Sequence, residues 1–126
     1  MGLRVLVCGG RDFDNERWLH LTLTQLHKDE RFDVLIEGGA SGADRLAREW
    51  ALGMNVKVET FEADWMAHGR SAGPLRNRRM FDEGKPDMVV AFPGGRGTAD
   101  MVRQARRTSA RVVVFTESVY SASAKV

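Results

Sequence analysis

The sequence is poor in cysteine and in long apolar runs, and each shortage excludes a class of protein. Cys8 is the single cysteine among 126 residues, so no internal disulfide framework can form. No apolar run approaches the roughly 20 residues that a membrane-spanning helix needs. The first residues lack the apolar stretch of a signal peptide. We therefore expect a cytoplasmic protein with no role at a membrane.

The composition is that of one ordinary globular domain. Apolar residues make up 43% of the chain and charged residues 29%, and no repeat, low-complexity block or linker divides it. We expect one domain over residues 1–117 and a flexible polar tail over 118–126. The formal charge is only +2, yet arginines cluster in two short stretches, around residues 70–79 and 103–107. Such clustering favours a local anion site over a nucleic-acid footprint.

Five short apolar runs rich in β-branched residues predict five strands. They are Leu3–Cys8, Val34–Ile36, Val56–Phe61, Met88–Phe92 and Val112–Phe115. The runs are nearly continuous rather than alternating, as strands covered on both faces require. The segments between them have helical spacing. The order βαβαβαβαβ predicts an α/β fold with three layers, a Rossmann-like five-stranded parallel sheet with helices on both faces.

Three of the predicted strands run directly into glycine-rich turns, at residues 8–12, 37–44 and 93–98. In a parallel sheet the carboxyl ends of the strands share one edge, where open α/β sheets bind ligands. Backbone N–H groups at such turns can approach a phosphate closely. The alternative is that the glycines only make tight turns, and it stays open at this point. The predicted phosphate-binding residues here are Gly9, Gly10, Arg11, Gly38, Gly39, Ser41, Gly94, Gly95, Gly97 and Thr98.

The connection at residues 64–74 is long for a small domain, and long loops of this kind are often functional. It leads into a predicted helix on which Arg76 and Asn77 could point to the same edge as the glycine turns, and we predict both as further ligand-binding residues. Asp44 falls in the first turn of a helix, where the helix dipole favours a carboxylate in any case. A structural role and a ligand contact are equally open for Asp44.

The sequence lacks the motifs of several common kinds of catalytic site. No His, Cys, Asp or Glu spacing fits a metal site. The sequence contains neither a Gly-x-Ser-x-Gly elbow nor a Walker-type Gly-Lys-Ser/Thr, which disfavours a serine hydrolase and a P-loop NTPase. We predict no cofactor, while a divalent cation that accompanies the ligand stays open.

Taken together, the motifs resemble a known family. The residues that carry the resemblance are the segments 7–13, 38–44, 64–65, 73–80 and 92–98. They are similar to the YspA, cpYpsA-related family of the SLOG superfamily, once classed as a domain of unknown function, and the similarity extends over about residues 3–116. The superfamily includes the lonely-guy phosphoribohydrolases, the DNA-processing protein DprA and nucleotide-sensing domains. The resemblance implies a nucleotide-type ligand at the glycine turns.

The comparison with the lonely-guy enzymes leaves catalysis open. Their helix motif Arg-Lys-x-x-Met falls on Arg76 to Met80, so the arginine is kept and Asn77 replaces the lysine. Their motif Pro-Gly-Gly-x-Gly-Thr-x-x-Glu places Met101 at the position of the catalytic glutamate. Asp100, about 100° around the helix, is expected to point elsewhere. The candidate catalytic residues are then Arg76, Asp44 and Asp64, the two aspartates acting from other loops.

We predict a module that senses or sequesters a nucleotide or an ADP-ribose-like molecule. The enzyme alternative is a lonely-guy-like phosphoribohydrolase that acts on nucleoside 5′-monophosphates. A third alternative is binding of single-stranded DNA as in DprA, although nucleic acid is not the expected partner. We also expect a homodimer or a higher homo-oligomer.

Overall fold

The computed structural model describes residues 2–116, and its elements alternate along the chain as predicted. The strands are β1 (Leu3–Cys8), β2 (Phe32–Glu37), β3 (Lys57–Thr60), β4 (Met88–Ala91) and β5 (Arg111–Val114). The helices are α1 (Glu16–Asp29), α2 (Ala43–Gly53), α3 (Trp65–His68), α4 (Ala72–Asp82) and α5 (Arg96–Ala105). The predicted tail at 118–126 lies outside the described residues.

The five strands form one sheet in which every neighbouring pair is parallel, in the order β3-β2-β1-β4-β5. The chain therefore builds outward from β1 to β3, and then returns to the other side of β1 to place β4 and β5. The strand order reverses between β1 and β4. In sheets of this kind, ligands bind outside the carboxyl ends of the strands at that reversal.

Helices cover both faces of the sheet, and side chains that alternate along β1 divide the core into two clusters. Val5 and Val7 pack into the cluster that contains Leu19, Leu23 and Trp50. Leu6 and Cys8 point to the opposite face, into the cluster that contains Met80, Met101 and Ala105. Alternation is expected because successive side chains of a strand point to opposite faces. The predicted three-layer α/β fold is confirmed.

The ends of several strands differ from the prediction by one or two residues. β2 begins at Phe32, because Phe32 pairs with Leu3 of β1. The register then shifts, so that the exposed Asp33 is skipped and Val34 pairs with Arg4. β3 is shorter than predicted, since only the residues from Lys57 to Thr60 pair with β2. A single apolar run shows which residues are buried, whereas strand length also depends on the neighbouring strand.

The connection at 64–74 is helical rather than an extended loop. Asp64 accepts a hydrogen bond from Ala67 N at 3.0 Å and so caps α3. A 3₁₀ turn at Gly69–Ser71 follows, and α4 begins at Ala72. Pro74 lies in the first turn of α4, where its missing N–H is tolerated. This compact segment lies beside the carboxyl edge of the sheet.

Candidate functional site

A cavity of about 840 Å³ opens at the carboxyl edge of the sheet, at the reversal between β1 and β4. The turns that follow these two strands are joined there, because Gly10 N donates a hydrogen bond to Pro93 O at 2.8 Å. A second cavity of about 340 Å³ adjoins the first and lies against the turn after β2. Pockets for small molecules typically span about 300–1,000 Å³.

The predicted binding residues meet at these two cavities. The larger cavity is lined by Gly9, Gly10, Arg11, Arg76, Asn77, Gly94, Gly95, Gly97 and Thr98. The smaller cavity is lined by Gly38, Gly39 and Ser41, and shares Arg11 and Arg76 with the larger one. Convergence of the three glycine turns follows from the parallel sheet.

The glycines of the site serve two different purposes. Gly42 begins α2 with φ of 73°, and a Cβ there would strike the backbone of Gly10 and Arg11, so the fold itself requires glycine. Gly95 and Gly97 are different, since a Cβ at either position would meet no heavy atom within 4 Å. Both line the larger cavity. Because glycine has no side chain, open space remains at the N-terminus of α5, and no other group of the protein fills it.

The walls of the larger cavity carry more positive than negative charge. Its charged residues are Arg11, Arg70, Arg76, Arg96 and Arg103, with Asp12, Asp44 and Asp100. Among the described residues, Arg11, Arg70 and Arg96 form no ion pair. The N-terminus of α5 adds the partial positive charge of a helix dipole. The cavity is therefore suited to a negatively charged ligand.

Arg76 is held in a fixed position by its neighbours. Its Nη1 donates to Gly38 O at 2.5 Å, and its Nε donates to Asn77 Oδ1 at 3.0 Å. Burial lowers the pKa of Arg76, while the negative charge of Asp44 acts in the opposite direction. An arginine remains protonated in proteins despite such shifts. Arg76 thus presents a fixed positive charge between the two cavities.

Buried carboxylates hold the turn after β2. Asp44 Oδ2 accepts from Gly38 N at 3.2 Å and from Ala40 N at 3.3 Å. Burial raises the pKa of Asp44 to about 6, although these backbone hydrogen bonds and Arg76 partly oppose the rise. Glu37, which is fully buried, accepts from Gly39 N at 2.7 Å and from the Thr60 hydroxyl. Asp44 has a structural role and also lines the larger cavity.

The single cysteine, Cys8, lines the larger cavity, but its thiol is unreactive. Cys8 is 7% exposed, and burial, followed by the nearby Asp44, raises the pKa of its thiol. Because the thiolate is the reactive form, a raised pKa leaves an inert thiol at neutral pH.

The expectation that Asp100 points away from the site is wrong. Asp100 lines the larger cavity, and its Oδ2 accepts from Asn77 Nδ2 at 2.9 Å. Met101 is 1% exposed, packs in the core and forms part of the same cavity floor. The cavity runs along the side of α5 that faces α4, so two consecutive positions border it despite the rotation of about 100° between them.

Two of the predicted residues make hydrogen bonds within the protein that the sequence did not specify. Asp64 caps α3 and lines neither cavity. The Ser41 hydroxyl donates to Arg11 O at 3.1 Å, which ties the first two glycine turns together. No side-chain hydrogen bond caps α5, whose N-cap residue is Gly95, and the predicted Thr98 lines the larger cavity beside that end of the helix.

Several residues that line the larger cavity were not among the predicted binding residues. Arg70 and Arg96 are cations there that form no ion pair within residues 2–116, and Asp12 and Trp65 also border the cavity. Arg96 and Asp12 lie within glycine turns that the sequence had already placed at this edge. Arg70 and Trp65 belong to the segment that follows β3. Because segments that follow parallel strands begin at the same edge of the sheet, this place in the sequence could have predicted both residues.

Comparison with known proteins is consistent with this geometry. Residues 3–68 match the YspA, cpYpsA-related SLOG family. The chain belongs to this family. It is also similar to the Gene 61 protein of Mycobacterium phage D29, with 39% identity over 120 residues that cover 89% of this chain and 95% of the phage protein. SLOG membership points to binding or processing of nucleotides.

The described residues contain neither a candidate metal-binding cluster nor a candidate membrane-spanning helix. In residues 2–116, no group of three or more His, Cys, Asp or Glu side chains could hold a metal ion. In the same range, no helix combines the length and the apolar composition that crossing a membrane would need.

Proposed function

We propose that this SLOG domain binds a phosphate-bearing nucleotide or nucleotide-derived molecule, such as ADP-ribose, and acts inside the cell as a sensor or sequestering module. The observation that carries the proposal is that Arg11, Arg70 and Arg96, which surround the larger cavity, form no ion pair with any other described residue. Charge-assisted hydrogen bonds to phosphate are roughly twice as strong as neutral ones. An anionic ligand would therefore gain much of its affinity from these side chains.

The phosphate is expected at the N-terminus of α5. Gly95 and Gly97 leave open space there, so a phosphate can approach the first N–H groups of the helix. Arg96 lies beside this position in the first turn of α5. The fixed guanidinium of Arg76 lies toward the second cavity, where it can contact another part of the ligand.

A thermal-shift screen across nucleoside mono- and diphosphates and ADP-ribose tests the proposal. A ligand present at 100 times its Kd stabilises the folded protein by about 2.7 kcal/mol. Arg96→Ala should reduce that shift. The matched control is Arg107→Ala, because Arg107 is exposed and lies outside both cavities. Equal shifts for the two variants, or no shift with any nucleotide, would reject a phosphate site at α5.

A phosphoribohydrolase is the second candidate, and the position of Asp100 favours it. Cleavage adds water across the N-glycosidic bond, so that the base leaves with a proton and positive charge develops on the sugar. A carboxylate close to the sugar would stabilise that charge. Asp100 lines the cavity in this chain, whereas the sequence comparison left only Met101 at the catalytic position. Asp44, with a pKa of about 6, could act as the proton donor.

Incubation with nucleoside monophosphates separates the two candidates. A binding module should return every nucleotide intact on chromatography. A hydrolase should release free base and ribose 5-phosphate, and Asp100→Asn should lower the rate by about 10²-fold or more. Turnover that is lost in Asp100→Asn but not in Arg107→Ala would establish the hydrolase in place of the sensor.

A further inference from the structure

Trp65 and Arg11 lie where the two cavities meet, and each residue lines both. The guanidinium of Arg11 lies over the indole ring, with its Cζ 4.9 Å from the ring centroid. This contact therefore borders both cavities. Because an arginine over an indole is a cation–π contact on an aromatic face, another flat, electron-poor group can occupy the same position.

Trp65 is placed as a platform rather than as a core residue. Its side chain is 47% exposed, whereas Trp18 and Trp50 are 7% and 4% exposed. The capped helix α3 fixes its backbone, and the indole packs toward Gly73, where an added Cβ would lie 3.4 Å from Cη2. A large aromatic side chain is thus held firmly while one side of it faces a cavity.

The smaller cavity also contains a carboxylate without a partner. Glu62 is exposed, and it forms no hydrogen bond or ion pair with the rest of the described chain. Its side chain lies against the glycine turn after β2, since a Cβ on Gly39 would come within 2.8 Å of Glu62 Cγ. A carboxylate accepts hydrogen bonds, so Glu62 is suited to the N–H groups of a ligand.

We propose that the smaller cavity is a subsite for the heteroaromatic base of the ligand. The base stacks on Trp65 in place of the Arg11 guanidinium, and an N–H group of the base donates to Glu62. Arg11 is then free to bind the phosphate of the same ligand. The ligand would extend through both cavities, with its sugar and phosphate in the larger one. This inference rests on the proposed nucleotide-binding function.

The test compares AMP with ribose 5-phosphate, which lacks a base, by calorimetric titration. Trp65→Ala should weaken AMP binding by ~10-fold, as expected for loss of base–aromatic stacking, and leave ribose 5-phosphate unchanged. Trp65→Phe should lose less, and Glu62→Gln should weaken AMP binding several-fold. Met66→Ala is the matched control, because Met66 is the next residue, is 99% exposed and lines neither cavity.

Tryptophan fluorescence gives an independent readout. AMP should quench the emission of the wild-type protein, and Trp65→Phe should abolish the quenching, because the other two tryptophans are buried in the core. If AMP binds equally well to wild type, Trp65→Ala and Trp65→Phe, the base subsite is wrong while nucleotide binding stands. If neither AMP, ribose 5-phosphate nor ADP-ribose binds the wild type, the proposed function fails and the subsite fails with it.

Discussion

Replacement of Asp44 by asparagine should make the protein's stability less dependent on pH. Asp44 is buried under the turn after β2, and its pKa rises from an ordinary value of 3.8 to about 6 in the folded protein. A raised carboxyl pKa means that the folded state binds the proton more tightly than the unfolded state. The contribution of Asp44 to the stability of the wild type is therefore lost as the pH rises from about 4 through 6.

The size of the effect follows from that difference in pKa. Each pKa unit corresponds to 1.36 kcal/mol, so ionised Asp44 costs the folded state about 3 kcal/mol above pH 6. Roughly 2 kcal/mol of this cost develops between pH 4 and pH 7. The asparagine side chain would keep an oxygen that can accept from Gly38 N and Ala40 N, but it would carry no charge. The variant should thus gain stability relative to the wild type as the pH rises.

Urea denaturation at a series of pH values measures this difference directly. The free energy of unfolding of Asp44→Asn minus that of the wild type should increase by about 2 kcal/mol from pH 4 to pH 7. Asp64→Asn is the control, since Asp64 is exposed at the start of α3. A difference that stays constant across this range would refute the argument, because it would mean that Asp44 ionises as easily in the folded as in the unfolded protein.

Three further predictions concern the ligand. Gly95→Val should abolish nucleotide binding and leave the melting temperature nearly unchanged, because the valine side chain would enter the cavity. Gly42→Val should instead lower the melting temperature, because its side chain would strike the backbone. Equal changes in melting temperature for the two variants would contradict this prediction. Arg76→Ala should weaken nucleotide binding by about ten- to a hundredfold in calorimetry, with Arg107→Ala unchanged. Binding of a mononucleotide should fall only modestly with salt and single-stranded DNA should not be retained, in contrast to the steep salt dependence of a DNA-binding protein.

The fold could be predicted from the sequence because its strands are short, apolar and covered on both sides. Near-continuous runs such as Leu3–Cys8 have few alternative structures in a chain of this size. The order of the strands in the sheet was not predictable in the same way. β4 pairs with β1 because of the way whole helices pack on the sheet, and no local sequence pattern predicts that pairing.

The site was predictable as far as the backbone determines it. Glycine turns at the ends of parallel strands must share an edge, and the residues named there do line the two cavities. Side-chain directions were not predictable in the same way. The Ser41 hydroxyl donates to Arg11 O across thirty positions of sequence, and Trp65 lines both cavities although it follows β3, at the edge of the sheet. Such contacts are set by tertiary packing.

The surroundings of Asp100 weigh on the choice between a sensor and an enzyme. Its Oδ2 accepts from Asn77 Nδ2 and from Gln104 Nε2, each at 2.9 Å, and its Oδ1 lies 3.5 Å from Arg103 Nη2. Three side chains already contact this carboxylate, which fixes its orientation and leaves few of its lone-pair sites free. Its negative charge is also partly balanced by Arg103, which reduces what it can offer to a developing positive charge on a sugar. Asp100 is better suited to accept a hydrogen bond from a ligand hydroxyl, and this favours a protein that binds its nucleotide and releases it intact.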